Sequence, residues 1–464
     1  MLLERIYDED LAQASYVIGC QATGEAIVID PRRDVGEYFD LAARHGMRIA
    51  HVAETHIHAD YLSGTRELAA AADATAYVSA EGGDDWQYGF DAERLHHGDV
   101  LTLGNVRIEA RHTPGHTPEH LMFLVTDGAA ADEPGYVISG DFVFAGDTGR
   151  PDLLDEAADG EDTRFESARQ LYESLKREFL ALPDHVLVFP GHGAGSACGK
   201  SLGALPATTV GYERHHAWWA PHVANGDEQS FIDELLSGQP DAHSYFSRMK
   251  RQNTRGPEVL GTQEPLPELD AATVDSALEE DRALFVDSRH HDRVAEGTVV
   301  GSLNIPGDGK TASFGAWAYD PERNQRPLIL LAQDADDAET QRAHLMRVGI
   351  DQVAGYVTSR EGLQQVRPPQ ISPAELQDVE PAMLLDVRTA NEHAAGHIPG
   401  SHQLSGGKVL WHQDELPAEG PIVTYCQSGR RNSVAASALR SQGHDVRELV
   451  GSYAGWSEWK NSGA

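Results

Sequence analysis

The sequence predicts an α/β protein of three domains, and three observations predict it. Strand-like runs alternate with helical patterns along the first half. A Pro/Gly/Glu-rich segment, TRGPEVLGTQEPLPE, then interrupts the pattern as a linker would. After it, one arrangement of short motifs occurs twice.

Length alone asks for more than one core, because 464 residues exceed what a single hydrophobic core organises. Residues 1–253 form the largest predicted unit. Its strand candidates AIVID, VRIEARH, YVISGDFVF and HVLVFPGH are separated by helical stretches such as TRFESARQLYESLKREFLAL. Several of these runs end in His, Asp or Gly, which places polar groups at strand ends, where sites are commonly built. The duplicated part follows as residues 266–365 and 371–464. LFVDSR (284–289) is echoed by LLDVR (384–388), GSLNIP (301–306) by GHIPGS (396–401), PLILLAQ (327–333) by PIVTYCQ (421–427), and GYV (355–357) by GSYAGW (451–456). Each copy has the size of a small α/β domain, so the pattern is a duplication and not a solenoid.

Composition excludes several classes of function. The net charge of −36 leaves no surplus of Lys or Arg to neutralise phosphates, which argues against nucleic acid and against anionic membrane surfaces. No stretch approaches the ~18 apolar residues of a membrane span. The opening MLLERIYDEDLAQASYVIG has acidic residues where a secretory signal is basic, so a cytoplasmic location is expected. The three cysteines, Cys20, Cys198 and Cys426, are an odd and sparse set that fits a reducing compartment. Self-association as a homo-oligomer is left open.

Chemistry-bearing residues concentrate at strand ends. AHVAETHIHADYLSG carries His56, His58 and Asp60; RHTPGHTPEH carries His112 and His116; SGD supplies Asp141 and PGHG supplies His192. Imidazole and carboxylate together suit zinc, iron or nickel. In this order the motifs resemble the metallo-β-lactamase superfamily, whose signature is His-x-His-x-Asp-His followed by a later His, Asp and His. The resemblance implies an αβ/βα sandwich. Dinuclear members such as glyoxalase II use the histidine after the aspartate to hold a second metal, and here that place is Tyr61, so one metal is expected. THIHADYLSG, HTPGHTP, SGD and GRPD are most similar to the persulfide dioxygenase branch. That resemblance implies one Fe(II) per chain held by His56, His116 and Asp141, a two-histidine, one-carboxylate facial triad with open positions for substrate and O2. His58, Asp60 and His192 would orient those ligands from behind. Arg150 and Asp152 match the family's active-site rim, where an arginine would hold an anionic sulfur substrate; the alternative is a surface ion pair. Tyr16 matches a family tyrosine near the iron. The run GHGAGSACGKS is not a phosphate loop, since Ala194 stands where that motif needs glycine. Cys198, within it, has two readings: a pocket thiol that accepts sulfur, or a small structural residue. Cys20 is expected to be inert.

PIVTYCQSGRRNSVAASALRSQG reads as a buried strand, a loop and a helix. Cys426, Gln427, Ser428, Gly429, Arg430 and Arg431 form a Cys-x-x-Gly-x-Arg loop. Its backbone N–H groups, the following helix start and two arginines would stabilise a thiolate that carries sulfane sulfur as a persulfide. With its flanking motifs the domain resembles rhodanese. The earlier copy has Ala332 at the cysteine position and Asp337 at the place of Arg431, so it is expected to be inactive, a spacer or docking surface. The resemblances together imply oxidation of a low-molecular-weight persulfide by O2 to sulfite, coupled to sulfur transfer that makes thiosulfate or runs in reverse. Two rivals stand beside this: a zinc thioester hydrolase of the glyoxalase II type, and a non-enzymatic sulfur sensor or carrier.

Overall fold

A computed structural model describes residues 1–153 and 163–462, so the last two residues of the third predicted domain lie outside the described residues. The chain separates into two units, Met1–Ala242 with Phe246–Thr262, and His243–Tyr245 with Gln263–Ala464.

The first unit is built from two six-stranded sheets. In the first, β1 (Leu2–Asp8), β2 (Gln13–Cys20), β3 (Glu25–Ile29), β4 (Arg48–Ala53), β5 (Thr75–Ser79) and β6 (Glu93–Leu95) lie in chain order. The first three are antiparallel, and the turn to parallel pairing begins at β3 and β4. The second sheet holds β7 (Val100–Leu103), β8 (Val106–His112), β9 (Leu121–Asp127), β10 (Tyr136–Gly140), β11 (Leu187–Pro190) and β12 (Thr208–Thr209), again in chain order. Alternating strand residues send Ile18, Ile27 and Ile29 from one sheet and Ile108, Phe123 and Ile138 from the other into a shared buried layer. Each sheet's opposite face is covered by helices. Gly36–Arg44 and Thr65–Ala72 bury Tyr38, Leu41 and Leu68 on the first. Arg164–Ser174 and its neighbours bury Leu171, Trp219 and Phe231 on the second. The result is the αβ/βα sandwich that the resemblance implies. The helix over TRFESARQLYESLKREF widens into a π turn at Leu175–Phe179. The expected linker is only partly a linker: Arg66 donates to the Gly256 and Pro257 carbonyls, and Glu67 accepts from Leu260 and Gly261, which ties that stretch to the first unit.

The second unit carries the duplication in its topology. β13 (Leu284–Asp287), β15 (Leu303–Asn304), β16 (Leu328–Leu331) and β17 (Val353–Val357) form a parallel sheet in the order 15-13-16-17, while β14 (Thr298–Val299) pairs with β18 (Gln365–Val366). β19 (Gln370–Ile371), β20 (Met383–Asp386), β21 (His402–Gln403), β22 (Ile422–Tyr425) and β23 (Val446–Leu449) repeat it in the order 21-20-22-23-19. The copies match to single hydrogen bonds. Arg289 grips Asp287 through two nitrogens and donates to Gly297, as Arg388 grips Asp386 and donates to Gly396. Asn304 donates to the Arg289 carbonyl, as Gln403 does to that of Arg388.

Candidate active site

The metal-ligating candidates of the first unit gather where strands of both sheets end. His56 and His58 lie on the loop after β4, His116 after β8, Asp141 after β10 and His192 after β11. One ligand atom each from His56, His116 and Asp141 falls within a 4.8 Å cluster, and all three residues are buried. The loops are locked by short backbone approaches. Gly191 N–H donates to the Gly140 carbonyl at 2.8 Å, and a Cβ at Gly191 would sit 2.6 Å from Asp141 Oδ1. Asn253 brackets the histidine loop: its amide donates to the His58 and Tyr61 carbonyls and its oxygen accepts from Ser63 N–H.

Hydrogen bonds fix which imidazole nitrogen is free to bind. His116 Nδ1–H donates to the Arg150 carbonyl at 3.0 Å and His192 Nδ1–H to the Ala12 carbonyl at 3.1 Å, so each turns Nε2 inward. Thr55 Oγ1 gives its proton to Asp30 at 2.8 Å and therefore accepts from His56 Nδ1–H at 2.9 Å, which directs His56 Nε2 the same way. Asp141 Oδ2 lies 3.5 Å from both His116 Nε2 and His192 Nε2. Among the described residues, both Asp141 oxygens are buried and accept no N–H or O–H hydrogen bond, and the Cys198 thiol is also turned toward them. Burial holds His56 and His116 below the ordinary imidazole range, hence neutral with a lone pair at the inward nitrogen. An orphaned buried carboxylate beside two such imidazoles fits a divalent cation.

His58 does something different. Burial works against its charge, but Asp30, 3.2 Å from Nε2, outweighs that, and the ring is pushed up to about 9. It is a buried imidazolium that stabilises the loop through Asp30, which also accepts from Thr55 N–H. Asp60 and His192 face each other at 3.3 Å and form a second potential ligand group with Cys198. Burial, then Asp141 and Asp60, push the Cys198 thiol well up. Tyr61 is buried, with its hydroxyl 3.3 Å from both the Asp30 carbonyl and the Gln13 amide.

Two sequence expectations are corrected. Arg150 is not a rim guanidinium: it is 1% exposed and wholly engaged, gripping Asp152 through two nitrogens and donating to the Ala197 and Pro240 carbonyls. It braces the Cys198 loop, and Asp152 is its counter-ion. Tyr16 sits in the inter-sheet core, its hydroxyl spent on the Pro190 carbonyl at 2.7 Å. His112 lies outside the cluster, donating to the Pro118 carbonyl from a half-buried position. Sequence reasoning also missed His120, whose Nε2 accepts from Asp141 N–H at 3.1 Å while Nδ1–H donates to Thr113. Its signal was present in HTPEH, four residues after His116. Asp30 was missed as well, and its only trace was an aspartate ending the strand AIVID. Cys20 ends β2 inside the core, where the backbone of Asn105 draws its thiol down to about 7.

In the second unit Cys426 follows β22 directly and is buried. Gly429 N–H donates to its sulfur at 3.1 Å, with φ +112° at Gly429 closing the turn, and the Ser452 hydroxyl lies 4.0 Å away. The loop arginines are not free to meet the thiolate, as the sequence suggested. Arg431 is held by Glu392 through two hydrogen bonds of 2.6 and 2.7 Å, and Arg430 pairs with Asp308. Arg431 still acts electrostatically on Cys426. Gln427 accepts weakly from Arg388 at 3.4 Å. In the other copy Ala332 follows β16 in the place of Cys426, and Asp337 caps the loop by accepting from Gln333 N–H at 2.7 Å.

Residues 8–192 match the model of the metallo-beta-lactamase superfamily, and residues 373–458 match that of the rhodanese-like domain. The mitochondrial persulfide dioxygenase ETHE1 of Bos taurus is 25% identical over 196 residues, 41% of this chain and 68% of that protein. A hydroxyacylglutathione hydrolase of a Polaromonas species is 31% identical over 280 residues, 54% of this chain and 98% of that protein. The crystal structure of a metallo-beta-lactamase from Staphylococcus aureus is 37% identical with a TM-score of 0.66, covering 77% of this chain and 98% of that one. A sandwich with inward imidazoles at its strand ends, a matching superfamily model and a relative spanned almost end to end lead to one assignment: the chain belongs to the metallo-beta-lactamase superfamily, and its carboxyl-terminal part is a rhodanese-like domain.

Proposed function

We propose that the first unit is an iron(II) persulfide dioxygenase and that Cys426 is the nucleophile of a coupled sulfurtransferase. The observation that carries the reading is the cluster of His56, His116 and Asp141, the ligand set that suits ferrous iron with open positions. Similarity to persulfide dioxygenase ETHE1 and the rhodanese-like domain on the same chain support it. A persulfide, O2 and water would yield the thiol, sulfite and two protons. Iron(II), held by His56, His116 and Asp141, would supply the binding and activation of O2 and the persulfide. The protein's part is to keep His56 and His116 neutral with Nε2 inward, to set Asp141 beside His116, and to bury all three side chains.

At the second site the Cys426 thiolate attacks the outer sulfur of a persulfide. One S–S bond forms, another breaks, and the thiol departs as thiolate. Sulfite then attacks the carried sulfur and Cys426 leaves with the electron pair, giving thiosulfate. The reverse sequence would deliver sulfur from thiosulfate to a thiol.

A zinc thioester hydrolase is the second reading, favoured by the hydroxyacylglutathione hydrolase relative and by the Asp60, His192 and Cys198 group. Anaerobically purified protein separates the two. About one iron per chain with persulfide-dependent oxygen uptake supports the dioxygenase. Stoichiometric zinc, thioester cleavage and no oxygen uptake overturn it. His56→Ala should abolish oxygen uptake and leave Cys426 labelling intact, whereas Cys426→Ser should abolish thiosulfate formation and leave sulfite production.

A further inference from the structure

The inactive copy of the repeat is built against the sulfur-transfer loop of the active one. The Arg430 guanidinium pairs with the Asp308 carboxylate, donates to the Asp308 carbonyl at 3.3 Å, and lies 5.1 Å from the centroid of the Phe314 ring. The His291 ring rests on Gly429, so closely that a Cβ there would come within 2.8 Å of it. Asn304 N–H donates to Ser437 on the helix that follows the loop, at 2.9 Å. Residues His291, Asn304, Asp308 and Phe314 all belong to the copy without a cysteine.

Charge gives this contact a chemical consequence. Three guanidiniums surround the loop, and each has one carboxylate: Arg388 has Asp386, Arg431 has Glu392, and Arg430 has Asp308. The first two pairs are internal to the active copy. Only the third carboxylate is supplied from outside it. Asp308 and Arg430 are 44% and 33% exposed, so their pair is in part open to solvent. With Asp308 in place the loop's three cations are balanced. An inorganic dianion such as thiosulfate or sulfite then meets guanidiniums each already paired with a carboxylate, whereas a thiol persulfide, bearing at most one charge on its sulfur, loses less.

We propose that Asp308 is a specificity-determining residue: by neutralising Arg430 it disfavours doubly charged inorganic sulfur anions at Cys426 relative to persulfides of thiols. This rests on the sulfur-transfer reading of Cys426, and its test is chosen to stand apart from turnover. In the full-length chain, Cys426 is alkylated with iodoacetate, an anion, and with iodoacetamide, its neutral counterpart, and the modified peptide is quantified for each. In both reactions the thiolate displaces iodide, so the rate ratio reads the local potential and not the reactivity of the sulfur.

Asp308→Asn is expected to raise the iodoacetate-to-iodoacetamide ratio roughly threefold or more at low salt, with the gain shrinking as ionic strength rises. The KM for thiosulfate should fall in parallel while turnover of a thiol persulfide changes less than twofold. Asp308→Glu, which keeps the charge, should behave as the unmutated chain. A ratio that does not move in a folded Asp308→Asn protein, or a gain insensitive to salt, overturns the proposal while leaving the sulfur-transfer reading intact. An unmutated chain that never turns over thiosulfate or a persulfide sinks that reading instead, and the role of Asp308 falls with it.

Discussion

Gly191→Ala is the smallest change expected to separate folding from metal binding. Gly191 is not among the glycines with positive φ, so alanine is sterically acceptable to the backbone. The added methyl carbon would lie 2.6 Å from Asp141 Oδ1 and 3.1 Å from the Gly140 carbonyl carbon. Contacts under 3.0 Å are essentially unknown for real Cβ atoms, so the carboxylate must retreat by about 0.4 Å at the least. Protein–metal distances hold to about ±0.2 Å, so a shift of that size takes Asp141 out of bonding range of an ion held by His56 and His116. The cost to the fold is that of one extra methyl in a tight site, about 1–3 kcal/mol.

Anaerobic metal analysis with thermal denaturation checks this. Metal affinity should fall at least tenfold, in line with the ~10–100-fold effect of disturbing a ligand's support, and oxygen uptake should fall with it. The melting transition should drop by only a few degrees. Gly135→Ala, where an added Cβ meets nothing within 4 Å, is the control and should bind metal normally. Full metal occupancy and full oxygen uptake in Gly191→Ala would refute Asp141 as a ligand.

Two further outcomes follow from paired charges. The two hydrogen bonds from Arg431 hold the Glu392 carboxyl down to about 2, so its contribution is complete above the ordinary glutamate value of 4.5 and is lost as pH falls toward 2. Because Glu392 is 33% exposed, Glu392→Gln should cost only about 1–2 kcal/mol at neutral pH, and should flatten the acid limb of a stability–pH profile followed by denaturant titration. Arg150→Lys should cost about 2–4 kcal/mol in the same assay, since one ammonium cannot replace a buried fork that serves Asp152 and two carbonyls. Metal retention should weaken as well, because the Arg150 carbonyl orients His116 and its side chain braces the Cys198 loop.

The parts of the site legible in the sequence were those whose spacing is set by local geometry. His56, His58 and Asp60 share one loop, and the Cys426 loop is six consecutive residues, so backbone proximity brings them together whatever the tertiary detail. The duplication was legible for a related reason: Asp287 with Arg289 and Asp386 with Arg388 are two residues apart and make the same bonds in both copies. What escaped was pairing over long distances in the chain. Arg150 reads as a surface residue in GRPD, and only the arrival of Ala197 and Pro240 reveals that it is buried. Asp308 sits 122 residues before Arg430, and nothing in the loop motif announces a partner from the other copy. Asp30 became visible only once Thr55 and His58 were placed against it.

The buried charges themselves bear on how many metal ions the first unit would hold. Asp30 and His58 cancel, since the imidazole is pushed up to about 9 and the pair is in contact. Burial opposes ionisation of Glu54, and it pushes Glu119 up to about 7; each accepts one short bond, from Ser63 and from Ile57 N–H, and neither joins the ligand cluster. That leaves Asp141 and Asp60, with Asp60 pushed up by burial and further by Asp141. One divalent cation balances those two carboxylates and reverses the pressure on Asp60, without asking any other group to ionise. A second dication would need compensating anions, and the nearest candidate is the Cys198 thiol, which burial and both aspartates hold in its protonated form. This balance agrees with the single ion proposed above at His56, His116 and Asp141, with Cys198 as its neighbour. Cobalt titration of metal-free protein addresses this directly: saturation near one equivalent without a thiolate-to-metal charge-transfer band agrees with it, and a second equivalent that raises such a band only while Cys198 is present would show that the balance has been drawn wrongly.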